Sequence, residues 1–225
     1  MKPAPSDLPR LLDQLEAHHG RPRRPVPKQA LDWILWENSA YLVPDERRKQ
    51  AYLALEQATG LRAHGILALP REELREIAGL GGMLPDRRVS KLISIAETVQ
   101  DEFDGDLESV LGLPVVKARR ALKRFPGIGD PGADKILLFT KTHALPALDS
   151  NGIRVMVRLG LVKEAKSYST TYRASSAALA SHANGGCPWL IRAHELLRKH
   201  GPVLCKRNGP LCDECPIVEE CPSAS

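Results

Sequence analysis

The sequence contains no apolar stretch approaching the roughly 18 residues that a membrane-spanning helix needs. Its first ten residues, MKPAPSDLPR, hold no apolar run and so do not resemble a secretory signal. Strand-like alternation is scarce, and neither an internal repeat nor a low-complexity segment is found. These absences argue against membrane, secreted and repeat proteins. We therefore predict an all-α protein of the cytoplasm that has no membrane partner.

The composition predicts a folded protein with a polyanionic partner. Hydrophobic residues make up 43% of the 225 residues, enough for one large or two small domains. The formal net charge is +5, and residues 117–124, KARRALKR, place five basic side chains within eight positions. Such a balance fits nucleic acid without proving it. The distribution of charge is therefore more informative than its total.

Helical periodicity accounts for most of the chain. One helix is expected to begin near Leu31. Another is expected after Pro44, because a proline followed by two acids is typical of a helix start. The prolines and charges of residues 21–28 predict a linker. A short first helix is marked by Leu8, Leu11, Leu12 and Leu15. The clearest amphipathic helix is predicted from Leu84 to Phe103, with an apolar face of Val89, Leu92, Ile93, Ala96, Val99 and Phe103.

Four of the five cysteines lie in the last 21 residues, an unusual layout for a disulfide scaffold. Spacings of six, two and five residues separate Cys205, Cys212, Cys215 and Cys221. Zinc ribbons usually use two separated CxxC pairs, whereas a 4Fe–4S cluster tolerates uneven loops. The spacing favours the cluster, with zinc as the alternative. Cys187 lies outside the pattern and is expected to be a buried free thiol.

This cysteine pattern resembles the endonuclease III and adenine-glycosylase branch of DNA glycosylases, in which it holds a 4Fe–4S cluster. In that family the cluster is mainly structural. The loop between the first two cysteines offers basic residues to DNA. Here the loop carries Lys206 and Arg207, which are DNA-binding candidates by resemblance and otherwise simply solvated side chains.

The segment FPGIGDPGADK, residues 125–135, resembles the helix–hairpin–helix of the same superfamily. Gly127 and Gly129 allow a tight turn around Ile128, so that backbone N–H groups and the following helix start can face a DNA phosphate. Lys123 and Arg124 would add longer-range attraction. Taken alone, PGIG also fits an ordinary turn between helices. With the cysteine pattern it predicts binding of double-stranded DNA.

In the segment LDSNGIRVMVRLG, residues 148–160, Asp149 lies twenty residues after Gly129 of the hairpin. In this superfamily an aspartate here stabilises the positive charge that builds on the sugar as the base leaves, and Asp149 matches it. The plainer interpretation is that Asp149 only caps the helix that it opens. Asp149-Ser150-Asn151 resembles the Asp-Gly-Asn of adenine glycosylases, which makes Asn151 a second catalytic candidate.

The sequence departs from the family pattern at two places. Bifunctional members carry a lysine where this chain has Pro131, so strand scission is not expected unless Lys135, one turn later, supplies the amine. The region of the family's DNA wedge is WENSAY here. Its residues Glu37, Asn38 and Tyr41 are wedge or pocket candidates, or else ordinary surface or core. Asp32 is a loose match for the glutamate with which adenine glycosylases protonate the base.

The resemblance implies two helical lobes with DNA across the cleft between them. A helical barrel with the hairpin is expected at residues 27–143, and a cluster domain at 1–26 with 144–225. We expect a monomeric, monofunctional DNA glycosylase of base excision repair, associated with a bacterial or archaeal nucleoid. The alternatives are a bifunctional glycosylase and lyase, or a cluster-bearing DNA-binding module without activity.

Overall fold

The computed structural model describes residue 5 and residues 7–21 and 27–224. These residues form eleven α-helices and three short 3-10 helices, without a strand among them. The all-α prediction is therefore confirmed. Within these described ranges, none of the helices combines the length and apolar character needed to cross a bilayer. Most of the predicted linker, residues 22–26, lies outside the described residues.

The chain divides into two compact units. We call residues 25–142 the hairpin unit, and residues 1–24 with 143–225 the cysteine unit, each as far as it is described. Both units enclose a core of their own, in which aliphatic side chains predominate. Each unit therefore meets the physical requirement for a compact domain.

The hairpin unit contains seven α-helices and a 3-10 helix at Glu108–Gly112. The helix expected after Pro44 is present, and Pro44 is its N-cap. Helix α2 packs against α3, α6 and α8, and α7 packs against α8. The α-helices are α2 (Ala30–Ser39), α3 (Asp45–Thr59), α4 (Ala63–Ala68), α5 (Arg71–Leu80), α6 (Pro85–Phe103), α7 (Val115–Leu122) and α8 (Asp130–Phe139).

Helix α6 follows the predicted amphipathic helix with two corrections. Leu84 lies outside it, because its φ of +61° is left-handed and Pro85 begins the helix instead. The buried face includes Ile95, which is fully buried, whereas Ile93 and Phe103 are only partly buried. The predicted apolar face therefore included Ile93 where the buried face has Ile95, two residues later.

The cysteine unit contains α1 (Leu8–His19), α9 (Ser150–Arg158), α10 (Tyr168–Ser181) and α11 (Gly186–Val203). Two 3-10 turns follow at Cys212–Glu214 and Val218–Glu220. The four predicted leucines of α1 are fully buried, which confirms that helix. Helix α11 packs against both α1 and α9. The start of α9 and the cysteine loops are therefore held by the same long helix.

Candidate functional site

The FPGIG segment forms the turn between α7 and α8. Gly127 has a φ of +75°, a left-handed conformation that costs other residues about 1–2 kcal/mol. Ile128 is buried, and its N–H already donates to the Phe125 carbonyl at 3.2 Å. Gly129 is exposed and has an ordinary negative φ. Ile128 therefore anchors the turn from inside, while the two glycines lie at its surface.

The N-cap of α8 is Gly129, which has no side chain that could accept a hydrogen bond from the first N–H groups of the helix. An aspartate directly before a proline predicts an N-cap at Asp130, and this prediction is wrong. Asp130 is already the first helical residue, and its carboxylate accepts a hydrogen bond from Lys123 Nζ at 2.6 Å. The first N–H groups of an α-helix have no partner within the helix. A start without a capping side chain therefore suits an anion from outside the chain.

Basic residues beside the hairpin are largely paired with carboxylates of the same unit. Arg124 Nη2 lies 2.5 Å from Glu102 Oε2. Arg119 Nε bonds to the buried carboxylate of Asp134. With Lys123 bonded to Asp130 as well, much of the local positive charge is balanced. The positive field beside the hairpin is therefore weaker than the number of basic residues suggests.

Pro131 and Lys135, the two positions that bear on lyase chemistry, both lie in α8. Pro131 stands in the first turn, where its missing N–H removes no helical hydrogen bond. Lys135 Nζ bonds to the carboxylate of Glu37 and lies 5.9 Å from the ring centroid of Trp33. Glu37 is thus the ionic partner of Lys135.

Asn38 is a core residue that supports the hairpin. Its Nδ2 donates to the carbonyls of Ile34 at 3.0 Å and Pro126 at 2.9 Å, and the residue is only 7% exposed. A Cβ at Gly127 would lie 3.2 Å from its Oδ1. This burial excludes Asn38 as a wedge and gives it a structural role instead.

Asp32 serves the start of its own helix. Its Oδ2 accepts from the backbone N–H groups of Lys28 at 3.2 Å and Gln29 at 3.1 Å, forming a capping box with Gln29. Capping alone accounts for an acid at this position. A role in protonating a base stays a prediction.

Tyr41, the remaining wedge candidate, belongs to a pair of neighbouring loops with exposed apolar side chains. Its backbone N–H donates to the Gly81 carbonyl, which links loop 40–44 to loop 81–84. Tyr41 is 73% exposed, Leu42 80% and Met83 83%. Leu42 and Met83 were not predicted, because large apolar residues are ordinarily assigned to the core.

Asp149 is the N-cap of α9, as the plainer interpretation expected. Its Oδ1 accepts from the backbone N–H groups of Asn151 at 3.0 Å and Gly152 at 2.8 Å. Its Oδ2 lies 3.4 Å from Arg198 Nε, and the side chain remains 28% exposed. The carboxylate is therefore fixed in direction but still reachable. Arg198 was missed, since it lies 49 residues away on α11.

Asn151 connects Asp149 to the rest of α9. Its Nδ2 donates to Asp149 Oδ2 at 3.3 Å, and its Oδ1 accepts from Arg154 Nη2 at 2.9 Å. Helix α11 approaches Asn151 so closely that a Cβ added at Gly201 would lie only 2.6 Å from Asn151 Cβ. Asn151 is thereby held between two bonded partners and a close backbone.

The four patterned cysteines line one cavity of the cysteine unit. Apolar side chains such as Leu159, Leu204 and Ile217 share the lining. In the part of the chain that the structure describes, no three His, Cys, Asp or Glu side chains meet closely enough for one metal ion. Burial raises the pKa of the Cys215 and Cys221 thiols, and the neighbouring cysteines raise it further. The site therefore gathers four sulfurs around a shared apolar space.

Two polar side chains approach these sulfurs. Arg158 Nη1 donates to Cys205 Sγ at 3.3 Å. His200 Nε2 lies 3.7 Å from Cys215 Sγ, and its Nδ1 lies 3.0 Å from His19 Nε2. Burial, and to a smaller extent the nearby His19 and His18, lower the pKa of His200 to about 4. Two of the four sulfurs, those of Cys205 and Cys215, therefore each have one polar side chain beside them.

Lys206 and Arg207 lie in the loop between the first two cysteines, and both are exposed. Their backbone carbonyls accept from Arg158 at 2.7 Å and 3.0 Å respectively. Arg154 Nε likewise donates to the Cys205 carbonyl at 2.9 Å. The loop is thus fastened to α9 through its backbone, which leaves its two basic side chains at the surface. Cys187 is partly buried at the start of α11.

Residues 43–180 match a family model described as HhH-GPD superfamily base excision DNA repair protein. The chain is 28% identical over 145 residues to endonuclease III of Sulfolobus acidocaldarius, covering 64% of this chain and 58% of the relative. It is 30% identical over 166 residues to thymine-DNA glycosylase of Aeropyrum pernix, covering 69% and 66%. The matched segments thus span less than two thirds of either relative.

The fold is similar to that of endonuclease III in a non-covalent complex with DNA. The TM-score is 0.75 at 19% sequence identity, and the match covers 97% of this chain and 95% of that chain. At this identity the similarity establishes the architecture of the chain.

Proposed function

The chain belongs to the HhH-GPD superfamily of base excision DNA repair proteins, and we propose that it is a monofunctional DNA N-glycosylase. Its substrate would be duplex DNA with a damaged or mispaired base. The observation that carries this proposal is the fixed, partly exposed carboxylate of Asp149. The relatives named endonuclease III and thymine-DNA glycosylase support the same class of activity.

The proposed reaction is a hydrolysis at the sugar C1′. The target base leaves the helix stack at a cost of a few kcal/mol, which is smallest for a damaged or mispaired base. The glycosidic bond then breaks, its electron pair leaves with the base, and the base takes up a proton. The oxygen of water bonds to C1′ and releases its own proton. Asp149 stabilises the cationic sugar between these events, as carboxylates do in glycoside hydrolysis.

The geometry around Asp149 favours an electrostatic role for this carboxylate. Oδ1 accepts two backbone hydrogen bonds, and Oδ2 faces Asn151 and Arg198. These partners fix the position of the negative charge before the substrate arrives, so that no reorganisation is needed when the sugar becomes cationic. Asn151 is a positioning residue in this scheme, because it holds the carboxylate from the side.

The residues of α8 support hydrolysis without strand scission. A lyase needs an amine that forms a Schiff base with C1′. Pro131 has no free amine within the chain, and Lys135 is held by Glu37. The product expected is therefore an intact strand with an abasic site.

DNA binding is assigned to the hairpin and to the loop between the first two cysteines. The exposed glycines Gly127 and Gly129 would bring the α8 start close to a phosphate. Lys206 and Arg207, exposed on a fastened loop, would reach further phosphates. Lys123 and Arg124 lie beside the hairpin in the hairpin unit, although each already has a carboxylate partner.

The exposed loops 40–44 and 81–84 are proposed as the wedge that fills the space of the flipped base. Large apolar side chains inserted between base pairs unstack them, and Tyr41, Leu42 and Met83 are the most exposed ones here. Replacing Leu42 and Met83 together with alanine should lower 2-aminopurine fluorescence at the target position, which reports flipping. Equal fluorescence in the variant would exclude this role. The matched control is Val116→Ala, which removes an equally exposed apolar side chain elsewhere in the same unit.

A 4Fe–4S cluster is the cofactor that the cysteine cavity fits best. The residues that would hold it are Cys205, Cys212, Cys215 and Cys221, which line one apolar cavity. Four thiolates on uneven loops suit such a cluster. When bound, the cluster would cross-link the C-terminal loops. Arg154 and Arg158 of α9 would connect these loops to the helix, because they donate hydrogen bonds to the backbone carbonyls of residues 205–207.

Iron and sulfide analysis tests the cofactor directly. Anaerobically purified protein should contain about four iron and four sulfide per chain. Cys212→Ala should lose them, whereas Cys187→Ala should keep them, because Cys187 does not line the cavity. Protein that carries zinc and no iron would contradict the assignment.

The activity is tested on a panel of duplexes with uracil, hypoxanthine, alkylated purines, oxidised pyrimidines, or mismatched adenine or thymine. At least one should yield abasic sites, seen as strand breaks only after alkali. Binding to the whole panel without any base release would instead identify a DNA-binding module without activity.

A further inference from the structure

A second cavity of the cysteine unit, of about 460 Å³, lies along α9 and the segment that leads into α10. This volume falls in the range of small-molecule sites. The first residue of the cavity wall is Ser150, the immediate neighbour of Asp149. Nothing in the proposed hydrolysis uses this space. We call it the cationic cavity, after the charges that line it.

Four cations and one acid, Glu164, line the cationic cavity. Arg154 and Arg158 are fixed by hydrogen bonds to the backbone carbonyls of residues 205–207. Lys166 and Arg207 are exposed. The lining thus combines two immobilised positive charges with two that can adjust to a ligand. Such an arrangement suits phosphate oxygens, which accept several charge-assisted hydrogen bonds.

An aromatic ring completes the cavity wall. Tyr168 is 52% exposed, and its ring stacks on the buried Tyr172 at 6.5 Å with an interplanar angle of 19°. The inner ring gives the outer one a rigid support. An exposed aromatic face beside positive charge is the combination that binds single nucleotides of a strand, with the base stacked and the phosphate paired.

We propose that the cationic cavity binds one unpaired nucleotide of a DNA strand, with its phosphate at Lys166 and Arg207 and its base on Tyr168. The chemical class is a nucleoside phosphate. The assignment to a DNA strand rests on the proposed function. A free nucleotide has the same chemistry and is distinguished by the experiment below.

The cavity is also connected to Asp149 by hydrogen bonds. Arg154, in the cavity wall, donates to Asn151, and Asn151 donates to Asp149. Asp149 in turn is close enough to raise the pKa of Tyr168, second to the effect of burial. A strand bound in the cavity would therefore have a defined position relative to the Asp149 carboxylate, which acts on the sugar. The cavity thus contributes to positioning as well as to affinity.

The charge arm of the test uses two double variants of the full-length protein. Lys166→Ala with Arg207→Ala removes both adjustable cations. Lys163→Ala with Arg173→Ala removes the same charge from exposed positions of the same unit that do not line the cavity. Affinity for a labelled duplex that carries one unpaired nucleotide is measured by anisotropy at several salt concentrations. The cavity variant should lower the log–log salt slope by about one to two, and the control by clearly less.

The stacking arm uses a matched pair at one position. Tyr168→Leu should weaken duplex binding by about fivefold or more, because it removes the stacking surface. Tyr168→Phe keeps the ring and should bind like the wild type. Equal affinity of the leucine and phenylalanine variants, together with equal slopes in the charge arm, would overturn the proposal. Circular dichroism of all variants verifies that each remains folded.

Calorimetry with dAMP distinguishes the two sources of ligand. If dAMP binds and the cavity variant abolishes it while duplex affinity stays unchanged, the cavity serves a free nucleotide, and the DNA assignment is overturned. An enzyme that excises normally while both arms show no difference would refute the cavity alone. A protein that releases no base, yet loses duplex affinity only in the cavity variants, would refute the glycosylase and leave the cavity established.

Discussion

The first N–H groups of α8 and of α9 differ in the partners that the chain provides for them. Each helix begins with N–H groups that lack a partner within the helix. At α9 the chain supplies its own anion, because Asp149 accepts from two of those groups. At α8 the N-cap is Gly129, and the nearby acid Asp130 bonds to Lys123 instead.

This difference separates two functions that helix starts can serve. An uncapped, glycine-lined start attracts a phosphate from outside and has no group for covalent chemistry. A start capped by a partly exposed carboxylate holds a negative charge in place, which suits a substrate that becomes positive. We therefore propose that α8 serves binding and α9 serves the chemistry.

The largest effect is expected from removing the charge at the α9 start. Asp149→Asn should lower excision by orders of magnitude, because the charge acts mainly as the sugar becomes cationic. Asparagine is also a good N-cap, so folding and duplex affinity should be nearly unchanged. Single-turnover excision and anisotropy measure the two effects.

The matched control for this variant is Asp130→Asn at the α8 start, which should excise almost normally. Full activity in Asp149→Asn would show that Asp149 serves only as an N-cap, and the proposed separation of binding at α8 from chemistry at α9 would be wrong.

A smaller effect is expected from the turn before α8. Gly127→Ala places a Cβ at a φ of +75°, and this Cβ would lie 3.2 Å from Asn38 Oδ1. The free energy of unfolding should fall by about 1–2 kcal/mol, measured by urea denaturation.

Gly129→Ala is the control, since its φ is negative and its Cβ would meet only Pro131 Cδ at 3.7 Å. We expect little loss of stability but weaker duplex binding, as a methyl group would stand where a phosphate approaches. Equal stability losses at both glycines would mean that the turn does not depend on the left-handed conformation of Gly127.

The smallest effect is expected from the paired cations beside the hairpin. Replacing Lys123 and Arg124 with alanine removes two charges, which would lower the log–log salt slope of duplex binding by up to about two if both were available to DNA. Because each already faces a carboxylate, we expect a smaller decrease. A decrease of two would show that DNA displaces both carboxylates.

Features carried by local spacing were predictable from the sequence. The leucines of α1, the Asp149 cap and the gathering of four cysteines around one cavity all follow from short segments. The Asp130 cap was wrong because residue preference alone does not show which residue leaves the helical conformation. Lys123, seven residues earlier, also offers that carboxylate a charged partner.

Features carried by tertiary packing were not predictable in the same way. The exposure of Leu42 and Met83 contradicts the usual burial of such residues, and only the loop arrangement reveals it. Arg198 reaches Asp149 from a different helix. The place of Arg154 in α9 was predictable, because it lies five residues after Asp149, at which the helix start was recognised. The sequence offered no signal that its guanidinium would join Asn151 to the Cys205 backbone.

Borohydride trapping on the preferred substrate tests most directly whether the protein excises a base without covalent catalysis. A Schiff base between an amine and the sugar C1′ would be reduced to a stable protein–DNA adduct. With Pro131 at the α8 start and Lys135 held by Glu37, the wild type should release the base, leave the strand intact until alkali is added, and give no adduct. A strong adduct that disappears in Lys135→Ala would contradict the account and make Lys135 the nucleophile.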